Sequence, residues 1–129
     1  MENSHKSFTE LTLWKKARDL KNELKFLSES FPPEEKYRLT DQLIRSSRSV
    51  TSNIAEGHGR YTYKDQIRFC IQARGSLSET LNHLIDAYDC KYISIEKLKE
   101  FERKIEEVGK LLNRYITWLR EQDGDSKGN

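Results

Sequence analysis

The chain has 129 residues with 23 Lys+Arg and 21 Asp+Glu, a net charge of +2. Charged residues make up 34% and hydrophobic ones only 35%, which excludes a sheet with two buried faces, whose strands read as continuous apolar runs. Thirteen aromatics (five Phe, six Tyr, two Trp) exclude a disordered tail, and two Pro and six Gly leave long stretches unbroken. One domain of amphipathic helices around a narrow core fits this balance.

The first helix is read from Leu13, Ala17, Leu20, Leu24, Leu27 and Phe31, which step by three and four, with Thr12 as its cap and Pro32-Pro33 as its stop. Pro33-Glu34-Glu35 predicts a short turn. A second helix is expected from Thr40, carrying Leu39, Leu43, Ser46 or Ser47, Val50 and Ile54 on its inner face. Gly57 and Gly59 close it, in the left-handed conformation of a helix terminus. Thr62-x-x-Asp65 opens a third helix with the seam Ile67, Cys70, Arg74, Leu77, Leu81, Leu84 and Tyr88. Cys90 to Ile93 is a short connection. Ser94 caps a fourth helix whose seam runs Leu98, Phe101, Ile105, Val108, Leu112, Tyr115 and Leu119. The third and fourth helices are each expected to span about 27 residues, roughly 40 Å. Residues 1–8 and 122–129 are expected to be loose ends of a bundle spanning 9–121. Short connections predict an all-α, antiparallel up-down-up-down four-helix bundle. No apolar stretch of about 18 residues occurs and no leader is expected, so the expected location is cytoplasmic, away from membranes. Cys70 and Cys90 are expected to be buried, reduced thiols.

Small and polar residues interrupt the second and third seams. Gln42, Arg45, Ser46, Ser49 and Asn53 meet Ala73, Arg74, Gly75, Ser76 and Glu79 in this reading. A helical glycine costs about 1 kcal/mol against Ala, so Gly75 predicts a close helix–helix approach. An ion pair from Arg45 or Arg48 to Glu79 is the expected partner contact. Apolar residues are also left over, including Leu11, Trp14, Phe26, Ile44, Phe69, Ile71, Ile85, Ile116 and Trp118. They predict self-association, with Trp14, Phe69 and Trp118 as interface candidates.

Catalytic chemistry finds little footing. The serine run from Arg45 to Ser52 has no histidine at a helical offset. Glu79 and His83 are four apart and lack a second pair, so the three histidines read as surface residues. No metal, cofactor or small-molecule substrate is expected, and no enzymatic activity. Nucleic acid has a stronger basis. Arg45, Arg48, Arg60, Lys64 and Arg68 cluster around the join of the second and third helices, with Tyr61 between them to stack on bases. The charge is balanced regionally, however: residues 34–61 hold five basic and four acidic residues, and residues 93–129 hold eight of each.

Ser49-Val-Thr-Ser-Asn53-Ile-Ala-Glu56-Gly57, followed by Gly59-Arg60, resembles the S-x-x-x-N-I-A-E-G-x-G-R signature of a four-helix-bundle family. That family was first noticed as proteins encoded in intervening sequences of bacterial 23S ribosomal RNA genes. Leu11-x-x-Trp14-x-x-Ala17, Phe31-Pro32 with Glu35 and Gln42-Leu43, and Ala73-Arg-Gly75-Ser76-Leu77-x-Glu79 are similar to its other motifs. The resemblance covers about residues 8–120 and marks Gln42, Asn53, Glu56, Gly57, Gly59, Gly75, Ser76 and Glu79 as motif residues. Lys91 stands where the family often has Gly. The resemblance implies assembly into a homopentamer, and its genetic setting implies ribosomal RNA or another nucleic acid as partner. The alternative is a protein–protein scaffold, including a role like that of the accessory proteins of diversity-generating retroelements.

Overall fold

The structure is a computed structural model that describes residues 7–128, with side chains described through Gly124. Four helices form it: α1 (Thr12–Ser28), α2 (Leu39–His58), α3 (Tyr63–Asp89) and α4 (Ile95–Gly128). Among the described residues there is no strand. α1 packs on α2, α2 on α3, α3 on α4, and α4 back on α1. One core fills the centre, with Leu13 and Leu24, Leu43 and Ile54, Leu77 and Leu84, and Phe101, Leu112 and Leu119 from successive helices.

Local chemistry sets most boundaries. Pro33–Glu35 is a 3-10 turn with Pro at its first position. Thr62 Oγ1 accepts from the Asp65 amide at 3.1 Å, and Ser94 Oγ from the Lys97 amide at 3.1 Å. Thr12 does not cap α1. It is the first helical residue, behind Leu11, because Ser7 starts a 3-10 turn at Phe8–Glu10 that leads straight into the helix. Leu11 is thereby pulled fully into the core rather than left over. Of the expected loose N-terminal segment, residues 1–6 lie outside the described residues.

At the other end α4 does not stop near residue 121 but continues to Gly128, 34 residues in all. Propagating a formed helix costs far less than nucleating one, and no proline intervenes. Ile116 is also buried, at 2% exposure, so the surplus of apolar surface is smaller than the seams suggest.

The inner face of α3 keeps Cys70, Leu77 and Leu84 of the expected seam but takes Gln66, Ala73, Thr80 and Ala87, each one position earlier, in place of Ile67, Arg74, Leu81 and Tyr88. Cys70, Ala73, Leu77, Thr80, Leu84 and Ala87 are buried, while Arg74 is exposed and reaches Asn113 Oδ1 of α4 at 3.3 Å. The small side chains face α2. The hydroxyls of Ser46 and Thr80 lie 2.9 Å apart, and Ser76 donates to Ser49 Oγ at 2.9 Å. Asn53 Nδ2 donates to the same Ser49 oxygen at 3.0 Å. Polar groups buried between two backbones therefore satisfy one another.

Candidate nucleic-acid interface

α2 ends against the first turns of α3, and two glycines decide how. Neither adopts a left-handed conformation; Gly59 caps the helix with φ −81°. Gly57 serves another purpose. It is buried, and a Cβ there would sit 2.9 Å from Phe69 Cβ and 3.2 Å from the Gln66 carbonyl oxygen. Close approach, not turn geometry, requires the glycine. The buried Gln66 fastens the join from inside, its Nε2 donating to the Arg60 carbonyl at 3.1 Å.

The residues between and just after the two helices then project outward. Arg60 and Arg68 both bring their guanidinium carbons over the Phe69 ring, at 4.7 and 5.1 Å from its centroid. Arg60 also lies 3.7 Å from Glu56, and Arg68 lies 3.3 Å from Asp65. Asp65 thus pairs with Arg68 instead of returning a bond to Thr62 as a full capping box would. Lys64 is exposed and makes no ion pair among the described residues. Tyr61 is 100% exposed. Among the described residues Glu56 and Asp65 are the ion-pair partners of Arg60 and Arg68, and these exposed side chains can take up a phosphate without unfolding anything.

Of the six nucleic-acid candidates, Arg60 and Arg68 meet over Phe69, and exposed Tyr61 and Lys64 lie between them along the chain. Arg45 and Arg48 do not join them. Arg45 lies roughly 18 Å up the α2 axis from Gly57, at 1.5 Å per residue, and sits 3.9 Å from Asp41. Arg48 is exposed on the same helix. The expected ion pair from either arginine to Glu79 is not formed. α2 meets α3 through Ser46 and Ser49, which turns positions 45 and 48 outward. Glu79 Oε2 instead lies 3.2 Å from His83 Nε2. His83, expected at the surface, is buried at 8% exposure.

Other motif residues also depart from expectation. Gln42 is exposed. Gly75 is exposed, and a Cβ placed on it would have nothing within 4 Å, so no close approach explains it. Trp14 is half-buried edge-on to Phe8, with centroids 5.1 Å apart. Trp118 stacks on Tyr115 at 6.1 Å, its buried indole nitrogen without a hydrogen-bond acceptor. Phe69, an interface candidate from sequence, belongs to the arginine cluster. Sequence hides this role because the two arginines reach the ring from opposite sides of the turn; the one available signal is Gly57, which demands a close neighbour. The large exposed apolar side chains are elsewhere, chiefly Phe26 at 77% and Ile71 and Ile85 at 40% each. Of the two thiols, Cys70 is buried but Cys90, in the α3–α4 connection, is exposed.

The family model described as 23S rRNA-intervening sequence protein matches residues 9–114. The chain belongs to the 23S rRNA-intervening sequence protein family. The match takes in α1, α2 and α3 whole, and with them Gly57, Phe69 and the surrounding cations. No curated protein matches the chain. A solved structure from Bacteroides thetaiotaomicron VPI-5482, a protein of unknown function from the S23 ribosomal protein family, is similar with a TM-score of 0.75. It is 24% identical, and the alignment covers 81% of this chain and 98% of that one. At that identity the likeness establishes the shared four-helix fold of this intervening-sequence protein. Among the described residues no helix is long and apolar enough to cross a membrane.

Proposed function

We propose that this intervening-sequence protein is a non-enzymatic, cytoplasmic, antiparallel four-helix bundle that assembles as a homopentamer and binds ribosomal RNA through the α2–α3 join. The pairing of Ser46 with Thr80 and of Ser49 with Ser76 supports opposed directions for α2 and α3, since one number rises as the other falls. Lys16 with Glu107 and Glu23 with Lys104 support the same for α1 and α4. Exposed Phe26, Ile71 and Ile85 supply apolar surface for self-association, and a ring would repeat the basic join around its axis. The observation that carries the RNA reading is the fully exposed Tyr61, next in the chain to Arg60, one of two guanidiniums that lie over Phe69.

Filter binding of 23S ribosomal RNA fragments across a salt series tests it. With three cations engaged, log K should fall linearly against log salt with a slope of about −2 to −3 per subunit. Absence of binding at low salt, or binding without a slope, refutes the reading. The runner-up is a protein–protein scaffold with no RNA role, favoured by Ile71 and Ile85 on the outer side of α3. It predicts the same oligomer by light scattering and no RNA retention.

A further inference from the structure

Building on the RNA reading, we infer that the join takes unpaired RNA, with Tyr61 as the stacking platform and Phe69 as the residue that aims Arg60 and Arg68 at flanking phosphates. Three features of the site lead there. First, Tyr61 stands at a convex corner between two helices with its ring wholly in solvent. A ring so placed offers its face to a base that has left its own stack. An A-form duplex keeps its bases stacked, and its major groove is too narrow for side chains to read. Second, the flanking cations are available. The pairs Arg60–Glu56 and Arg68–Asp65 are exposed, at 3.7 and 3.3 Å, and exposed pairs of this kind hold weakly. A phosphate can displace either carboxylate. Lys64 and Arg68, four apart on α3, fall on one face one turn apart.

Third, the two guanidiniums do not wander independently. Both lie over one ring, and that ring's Cβ packs close against Gly57. Each guanidinium carbon lies over Phe69, and the N–H groups now turned to Glu56 and Asp65 can pass to phosphate oxygens when those weak exposed pairs open. Tyr61, Arg60, Lys64 and Arg68 are thus the binding groups. Phe69 is a positioning residue that need not touch RNA.

The experiment is competition filter binding on the full chain. A short labelled RNA single strand without self-complementarity is displaced by the same unlabelled strand or by that strand annealed to its complement. The duplex should need about tenfold more material, the scale of one lost base–aromatic stack. Tyr61→Ala should weaken single-strand binding about tenfold with the salt slope unchanged, and Tyr61→Phe should restore it. Lys64→Ala or Arg68→Ala should reduce the slope by about 0.7. Phe69→Leu keeps an apolar side chain but removes the π face. It should lower both affinity and slope at a melting temperature close to the parent, whereas a purely structural role would move the melt and leave the slope. If the single strand binds but the duplex competes equally, or Tyr61→Ala binds like the parent, the inference falls while RNA binding by the join stands. If neither form binds, both fall together.

Discussion

Two helical glycines, one buried and one open, should respond oppositely to the same added methyl. At Gly57 the new Cβ would lie 2.9 Å from Phe69 Cβ and 3.2 Å from the Gln66 carbonyl oxygen. Carbon atoms prefer about 3.5–4.0 Å, so the α2–α3 spacing must open by several tenths of an ångström. Neither obstacle can swing aside, because one is a Cβ and the other is backbone. Overpacking of this kind costs about 1–3 kcal/mol, and the rigid obstacles place Gly57→Ala in the upper part of that range. The gain in helix propensity returns about 1 kcal/mol, leaving a net loss of about 1–2 kcal/mol. At roughly 4 °C per kcal/mol for a domain of this size, Tm should fall by about 4–8 °C. At Gly75 a Cβ meets nothing within 4 Å. Only the propensity gain remains, so Gly75→Ala should raise Tm by about 4 °C. Thermal melts followed by circular dichroism at fixed protein concentration measure both. If the two variants shift Tm in the same direction, close approach is not what Gly57 is for.

Lys91 has φ 64°, the left-handed region that costs a side-chain-bearing residue about 1–2 kcal/mol, so Lys91→Gly should stabilise the protein by about 0.5–1 kcal/mol in urea melts. A loss of stability would show that the lysine side chain makes a compensating contact. Burial pushes the Cys70 thiol up to about 12, whereas Cys90 is exposed. A thiol reagent at neutral pH should therefore label Cys90 rapidly and Cys70 only on unfolding, and equal rates for the two would refute the burial. Tyr92 donates to Glu35 Oε2 at 2.7 Å, and chiefly this bond to a carboxylate raises its pKa from 10.0 to about 12. A raised folded-state pKa gives stability that is whole below pH 10 and lost as pH climbs from 10 towards 12. Tyr92→Phe should be less stable at neutral pH and lose less on alkaline titration. The opposite trend would remove the hydrogen bond as the cause.

The starts of α3 and α4 and the turn before α2 are legible in the sequence because their signals are local, whereas the Thr12 cap and the left-handed glycines expected for α1 and α2 do not form. Thr62, Ser94 and Pro33 act on backbone within three or four residues, so the sequence order itself carries the geometry. The seams of α1 and α4 are legible for a similar reason, as large apolar residues at steps of three and four have one face to bury. The inner face of α3 is half legible: Cys70, Leu77 and Leu84 lie on the expected seam, and the alternate positions fall one residue earlier. Those positions are Ala73, Thr80 and Ala87, and small residues announce an inner face only when the partner helix is known. Gly75 and Gly57 look alike in sequence for the same reason; distance to a neighbouring helix separates them. At the join, Arg60, Tyr61, Lys64 and Arg68 lie within nine consecutive positions, so nearness along the chain is nearness in space. For Arg45 and Arg48 it is not, because a rise of 1.5 Å per residue turns sequence separation into distance. Phe69 reads as an interface residue in sequence because hydrophobicity alone does not say which cation will cover a ring.

A nearly neutral helical protein can present a cationic surface by aiming its charges instead of adding more. The chain carries a net +2, and the join itself sets three cations against two carboxylates. What distinguishes it from exposed ion pairs such as Lys16–Glu107 is that two guanidiniums share one ring beneath them. Phe69 holds two guanidiniums at one place, and Gly57 holds Phe69. The glycine of the Asn-Ile-Ala-Glu-Gly string and the arginine three residues after it are therefore one mechanical unit, the first setting the height of the ring on which the second rests. Spacing between α2 and α3 then controls the direction of the charges. A change that widens it should disperse the guanidiniums before it unfolds the helices.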